Sequence, residues 1–150
     1  MKLTKALKFK NQLAGELAEL KERLKEQNSR EATVPFDYDT AEVLTDVRSK
    51  IQQLVEVKAA IASANVDQYA RIFRLAELKG LVSTLKNLNV RHGVFKEGGG
   101  YTEPVYKVEY IAQIKKADVD ALISELENEI AELQDQLDEF NHVTRINLPS

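Results

Sequence analysis

The chain has 150 residues, 43% of them hydrophobic and 30% charged, with a formal net charge of −3. This balance is too apolar for a disordered chain and suits a globular or coiled-coil protein of one domain, residues 1–150. The absence of Cys excludes a disulfide framework and a thiolate metal site, and the longest uncharged run, Ala59 to Val66, is far short of a membrane span.

The first predicted helix covers about residues 2–28. Leu3, Leu17 and Leu24 fall on one heptad position, with Lys10 as the exception, and Ala6, Leu13 and Leu20 on the other. Spacings of three and four place these side chains in one stripe, as a coiled-coil seam requires. The opening lysines Lys2, Lys5, Lys8 and Lys10 have no apolar block behind them and do not read as a secretory signal. Residues 27–39 read as a loop, because Pro35 disfavours helix at Val34 and Asn28, Ser29 and Asp37 form turns and caps.

The second helix is expected over 40–65. Leu44, Val47, Ile51, Leu54, Lys58 and Ile61 step by three and four with one polar break, and Val43, Val55 and Val57 widen the apolar surface. Asn65 is a C-terminal stop of the kind that tolerates the left-handed conformation, and Asp67 a candidate cap for the next helix. In the third helix, about 68–89, the apolar residues Ile72, Leu75, Leu78, Leu81, Val82, Leu85 and Leu88 cover roughly a 200° arc. An arc that wide requires at least two neighbours, within the chain or across a subunit interface.

Residues 90–114 break the helical period. Tyr106, Val108, Tyr110, Ala112 and Ile114 alternate with the residues between them, which predicts a strand. Paired with Val90 to Lys96 across the Gly98-Gly99-Gly100 turn, it makes a β-ribbon between helices three and four. A lone hairpin is marginal in water, so its Tyr-rich face is expected to lean on the helices or on another subunit. The fourth helix, about 118–141, carries Val119, Ile123, Leu126, Ile130, Leu133, Leu137 and Phe140 in a faultless heptad, with Asp118 as its cap. The tail from Asn141 to Ser150 is expected to be irregular.

Charge alternates in sign along this series. Residues 1–30 hold eight Lys/Arg and four Glu, net +4; residues 37–65 hold three basic and five acidic, net −2; residues 66–92 hold five basic and two acidic, net +3; residues 118–141 hold nine acidic and no basic residues. Basic helices are expected beside acidic ones, an arrangement that selects neighbours more than it stabilises them. A basic face for nucleic acid is the competing reading, weakened by net acidity and by the scarcity of aromatics among the lysines of the first helix, Phe9 alone. Insertion of Leu3, Leu7 and Phe9 into an anionic membrane is a further alternative. It is disfavoured because the stripe continues into a mixed, charged helix.

No constellation carries recognisable chemistry. Glu139 and His142 have the Glu-x-x-His spacing of di-iron bundles, but the only other histidine, His92, has no Glu three residues before it. Glu125, Glu129, Glu132, Asp135 and Asp138 read as a solvated helix face. The glycine triplet has no following Lys-Ser/Thr and precedes a strand, so it is no phosphate cradle. Neither His92 nor His142 has a Gly-x-Ser-x-Gly elbow to serve.

Met1-Lys2-Leu3-Thr4-Lys5-Ala6-Leu7 at the start, Ile61-Ala62-Ser63-Ala64-Asn65 closing helix two, Ala117-Asp118-Val119-Asp120-Ala121-Leu122 opening helix four, and Leu133 through Leu137 to Asn141 with Thr144 closing it form a pattern over nearly the whole chain. It resembles a family of small bacterial helical proteins labelled septicolysin-like. The chain departs from that family at His142, where an aromatic is usual, at Arg145, where an acid is usual, and at Val66-Asp67, where the family's loop is longer. The label implies a cytolysin, and the resemblance brings no catalytic residues.

These readings together predict an all-α fold of about four long amphipathic helices in antiparallel coiled-coil or bundle packing, with a small β-ribbon between the third and fourth. The expected role is non-enzymatic and cytoplasmic, through self-assembly into a homo-oligomer. No catalytic, cofactor-binding or metal residue is assigned, and no small-molecule, nucleic-acid or membrane partner is expected. The alternative is a nucleic-acid or anionic-surface binder using Lys2, Lys5, Lys8, Lys10, Arg71, Arg74, Lys79 and Arg91.

Overall fold

In the computed structural model, residues Met1 to Leu148 are described; the predicted irregular end at Pro149 and Ser150 lies outside them. The fold is all-α in class. Helices α1 (Leu3–Gln27), α2 (Thr40–Ala64), α3 (Tyr69–Lys86) and α4 (Lys116–Val143) follow in chain order, with strands β1 (Gly93–Glu97) and β2 (Tyr106–Tyr110) between α3 and α4. The chain divides into two compact units, one of residues 1–69 with the segment from Asp138 onward, the other of residues 70–137.

In the first unit α1 and α2 pack antiparallel. Thr40 donates its hydroxyl to Asn28 Oδ1 at one end, and Leu3 and Ala6 meet Val57 and Ile61 at the other. On α1 the predicted seam holds: Leu3, Ala6, Leu13 and Leu17 are buried, and Leu20 and Leu24 half-buried. On α2 the seam is rotated by one residue. The buried row is Val43, Val47, Val57 and Ile61, with half-buried Lys50 and Leu54 between them. Leu44 and Ile51, predicted for this row, are exposed. The polar break at Lys58 explains the shift, since burying an unpaired ammonium costs more than turning the helix to offer Val57. Lys50, which the rotated row does bring to the seam, is paired with Glu16 of α1.

Asp39 caps α2, its Oδ1 accepting from the Ala41 N–H at 2.9 Å. The far end stops at Asn65 as expected, but with φ −88° and ψ 0° rather than left-handed. A single 3-10 turn, Val66–Gln68, follows, with Asp67 inside it rather than capping α3.

Helix α4 runs on to Val143, into the predicted tail, and residues 144–148 are irregular as expected but tied to the start of the chain. Lys2 and Arg145 form an antiparallel bridge. Leu3 donates its N–H to Thr144 O (2.8 Å), Ile146 its N–H to Met1 O (2.9 Å), and the terminal ammonium donates to Ile146 O (3.1 Å). Thr4 donates its hydroxyl to Asn141 O at 2.7 Å. Lys2 gives α1 no side-chain cap, so the Thr144 carbonyl takes over one of the helix's orphan donors. Ile146 joins the α1–α2 core.

In the second unit Leu78, Val82 and Leu85 of α3 form a core with Val119 and Leu126 of α4, flanked by Val90, Ile123, Ile130 and Leu133. Arg74 to Glu129 (2.5 Å) and Lys86 to Glu127 (3.0 Å) put the basic helix beside the acidic one, as the charge alternation predicts. Helix α4 starts earlier than predicted: the Lys115 carbonyl accepts from Asp118 and Val119, so Asp118 lies in the first turn instead of capping it. The ribbon is antiparallel, with Gly93 opposite Tyr110, Phe95 opposite Val108 and Glu97 opposite Tyr106. Gly98 (φ 80°) and Gly99 (φ 83°) turn the chain after β1. A Cβ at Gly98 would collide with the Pro104 carbonyl oxygen and the Tyr106 ring, so glycine is required there.

Candidate functional site

The rotation of α2 creates a surface. With Val43, Val47, Val57 and Ile61 turned to α1, a second row on α2 is left outward: Leu44 is 47% exposed, Ile51 41% and Val55 55%. Helix α3 does the same on a smaller scale. Its core row of Leu75, Leu78, Val82 and Leu85 is buried, while Leu81 is 43% exposed and Leu88, in the turn that closes the helix, 39%. The 200° arc predicted for this helix is real, and only part of it is covered.

The ribbon presents a third apolar surface. Its register gathers Phe95, Tyr106, Val108 and Tyr110 on one face and Val94, Lys96, Lys107 and Glu109 on the other. Phe95 and Tyr106 remain exposed, and Ile111 and Ile114 beyond β2 are more exposed still.

Polar groups at the ribbon's base are satisfied internally. The Arg91 guanidinium lies 4.1 Å from the Tyr110 ring centroid and 3.3 Å from Glu97, and Tyr110 donates its hydroxyl to the same carboxylate. Phe95 meets Tyr110 edge to face at 5.8 Å. The hydrogen bond to Glu97, reinforced by desolvation, raises the Tyr110 pKa and keeps the phenol protonated. His92 Nδ1 accepts the Ala112 N–H at 3.2 Å. The cluster locks the ribbon's two ends together and offers no free base or nucleophile. The sequence signal for it was the register itself, which sets Gly93, next to Arg91 and His92, opposite Tyr110.

A shallow, open hollow runs along the α1–α2 groove, lined by Glu16, Glu19, Arg23, Asp46 and Lys50. Hydrogen bonds from Lys50 and then Gln12 hold the Glu16 carboxyl below its ordinary range. Arg23 stacks 4.5 Å from the Tyr38 ring centroid. A carboxylate held ionised beside its own cation lacks the raised pKa a general acid needs at neutral pH.

Glu139 is exposed, and His142 edges an open hollow with Thr4, Asn11 and Asp138. Among the described residues no group of three His, Cys, Asp or Glu is placed to hold a metal. Of the basic set, Arg74 is taken by Glu129, Arg91 by Glu97 and Tyr110, and Lys2 sits in the terminal bridge; Lys5, Lys8 and Lys79 are exposed. Among the described residues no helix is long and apolar enough to cross a membrane. No protein-family model, curated protein or solved structure matches the chain.

Proposed function

We propose that this protein is a non-enzymatic helical assembly protein that acts by associating with copies of itself in the cytoplasm, as a member of the septicolysin-like family it resembles. The observation that carries the reading is the uncovered second row on α2: a helix that already buries one apolar face leaves Leu44, Ile51 and Val55 to solvent. Scattered exposed hydrophobics are normal on a monomer, but three on one helical stripe form a patch, and such patches mark interaction surfaces. The Cys-free composition suits a reducing compartment.

The closed Arg91–Glu97–Tyr110 cluster and the ionised Glu16–Lys50 pair support a non-catalytic role, because each consumes the groups that chemistry would need. The anionic-surface alternative has lost Arg74 and Arg91 to ion pairs and keeps mainly the lysines of α1.

Sedimentation velocity over a hundredfold concentration range, at two salt concentrations and with added DNA, RNA or anionic vesicles, tests both readings. Association that grows with protein concentration and is indifferent to salt is expected. A monomer throughout would refute self-assembly, and salt-sensitive binding to nucleic acid or vesicles would replace it with the alternative.

A further inference from the structure

Strand β2 is its own complement. The ribbon lies within the second unit and has two strands, so one edge of β2 pairs with β1 and the other has no strand beside it among the described residues. Around Val108 the chain runs Val105-Tyr106-Lys107-Val108-Glu109-Tyr110-Ile111. Two such strands laid antiparallel about Val108 set Val108 opposite Val108, Lys107 opposite Glu109, Tyr106 opposite Tyr110 and Val105 opposite Ile111. Opposite residues share a face of the sheet, so each of these pairs brings its side chains together. Val105 is 63% exposed and Ile111 77%, and Lys107 and Glu109 are exposed with them.

From this symmetry we infer that the free edge of β2 is taken by β2 of a second copy of this chain, antiparallel about a two-fold axis at Val108, in a four-stranded sheet with the β1 strands outermost. The inference rests on the self-assembly reading above for the kind of partner, and its surface is separate from the outward row of α2. Charge selects both the occupant and the register. Inside the ribbon Lys107 stands opposite Lys96, and Glu109 opposite Val94. Among the described residues neither Lys107 nor Glu109 has an ion pair. Like charges directly opposite destabilise a strand pair, and a second copy sets a carboxylate on the free side of Lys107. Moving the axis one residue either way puts Lys107 opposite Lys107 or Glu109 opposite Glu109. Moving it two leaves neither residue facing an opposite charge. The edge of β1 has no such match: about Phe95, Lys96 faces Val94 and Glu97 faces Gly93. Laying β2 on β1 of another copy in the ribbon's own register repeats the opposition of Lys107 and Lys96. A lone hairpin is marginal in water, and the two-fold pairing supplies the further strands while closing the β2 edge of both copies. Main-chain hydrogen bonds and the apolar pairs supply affinity, and the charges fix the alignment.

Charge reversal, read by sedimentation velocity, tests the pairing. Lys107→Glu leaves acids at both 107 and 109, which oppose each other twice in a pair of identical chains, and Glu109→Lys does the same with two amines. Each variant alone is expected to dimerise roughly tenfold or more weakly than wild type, with circular dichroism unchanged because both positions are exposed. Mixed one to one, the two variants are expected to recover association as a heterodimer, since every opposition is then between unlike charges. The chain has no Cys, so Val108→Cys marks the axis. Opposite Cα atoms in an antiparallel pair lie about 4.5–5.5 Å apart, within disulfide reach, and oxidation is expected to link this variant to itself. Val94→Cys, exposed on β1, is the control, because three strand spacings of about 4.8 Å separate the two β1 strands. A dimer unmoved by either reversal, a mixture that associates no better than its components, or Val94→Cys linking as readily as Val108→Cys refutes the β2 pairing and leaves self-assembly standing. Wild-type protein that is monomeric at every concentration removes the self-assembly reading as well.

Discussion

Replacing Leu13 by alanine tests the seam on which the first unit depends. Leu13 is 1% exposed and, with Leu3, one of the two largest fully buried side chains in the chain. It packs within the cluster that joins α1 to Val57 and Ile61 of α2. Leu→Ala at such a site loses the transfer free energy of the removed carbons and leaves a cavity that two rigid helices cannot collapse, a cost of about 3 kcal/mol. For a unit of this size each kcal/mol lowers Tm by about 4–8 °C, so the expected drop is roughly 12–24 °C. Thermal and urea denaturation followed by circular dichroism measure it. Leu44→Ala, on the outward row of the neighbouring helix, is the control, and on dilute protein it should fall within about 0.5 kcal/mol of wild type. If Leu13→Ala cost less than about 1 kcal/mol, or if Leu44→Ala cost as much, the assignment of inner and outer rows would be wrong.

The polar groups and the turn give three further expected outcomes. Glu16 has a depressed pKa in the folded state, so the stability it shares with Lys50 is present above the ordinary carboxylate range and lost as pH falls through the lowered value. Lys50→Met should therefore melt below wild type at pH 7, with the gap closing in acid; a gap that persists there would assign it to packing. Gly98→Ala forces a side chain to φ 80° against Pro104 and Tyr106 and should cost about 1–3 kcal/mol. Weakened cross-strand NOEs along Gly93–Glu97 with unchanged helical signal would show it, and intact NOEs would contradict it. For Tyr110 the raised pKa means that the hydrogen bond to Glu97 holds at neutral pH and is lost as pH rises through that value. In ultraviolet titration one phenol of the five should ionise above the others. Tyr110→Phe should remove that late step, and an unchanged curve would place it elsewhere.

How much of the fold and its surfaces was legible in the residues depended on the kind of interaction. The α1 seam was readable because leucine recurs there on a single heptad row. The α2 row was assigned one residue out of phase: the predicted row 44, 47, 51, 54, 58, 61 and the observed row 43, 47, 50, 54, 57, 61 share Val47, Leu54 and Ile61. Periodicity alone cannot phase a helix with two apolar rows, and Lys58 was the one residue that told them apart. The ribbon was legible because alternation has only two phases, and turn chemistry at Gly98 and Gly99 set where it reverses. The pairing of Met1–Leu3 with Thr144–Ile146 was not legible, since it is made of backbone hydrogen bonds that leave no mark on side-chain pattern. The arc on α3 signalled a need for a second neighbour without saying which, and that ambiguity lies at the centre of the interaction surface.

Which force would drive association can be decided from magnitudes. Fully burying a leucine, isoleucine or valine is worth about 1.5–3 kcal/mol, and each side chain on the outward rows is about half exposed, so each contributes about 1 kcal/mol on docking. Covering Leu44, Ile51 and Val55 of α2 and Leu81 and Leu88 of α3 on two copies of the chain gains about 10 kcal/mol. An exposed ion pair at such a surface adds only about 0–1 kcal/mol. Lost translational and rotational freedom costs about 4–15 kcal/mol, so the apolar gain is comparable to the cost and the charges cannot make up a large deficit. Association of this origin is therefore reversible on dilution. It is also insensitive to salt, because screening acts on the small term and not on the large one.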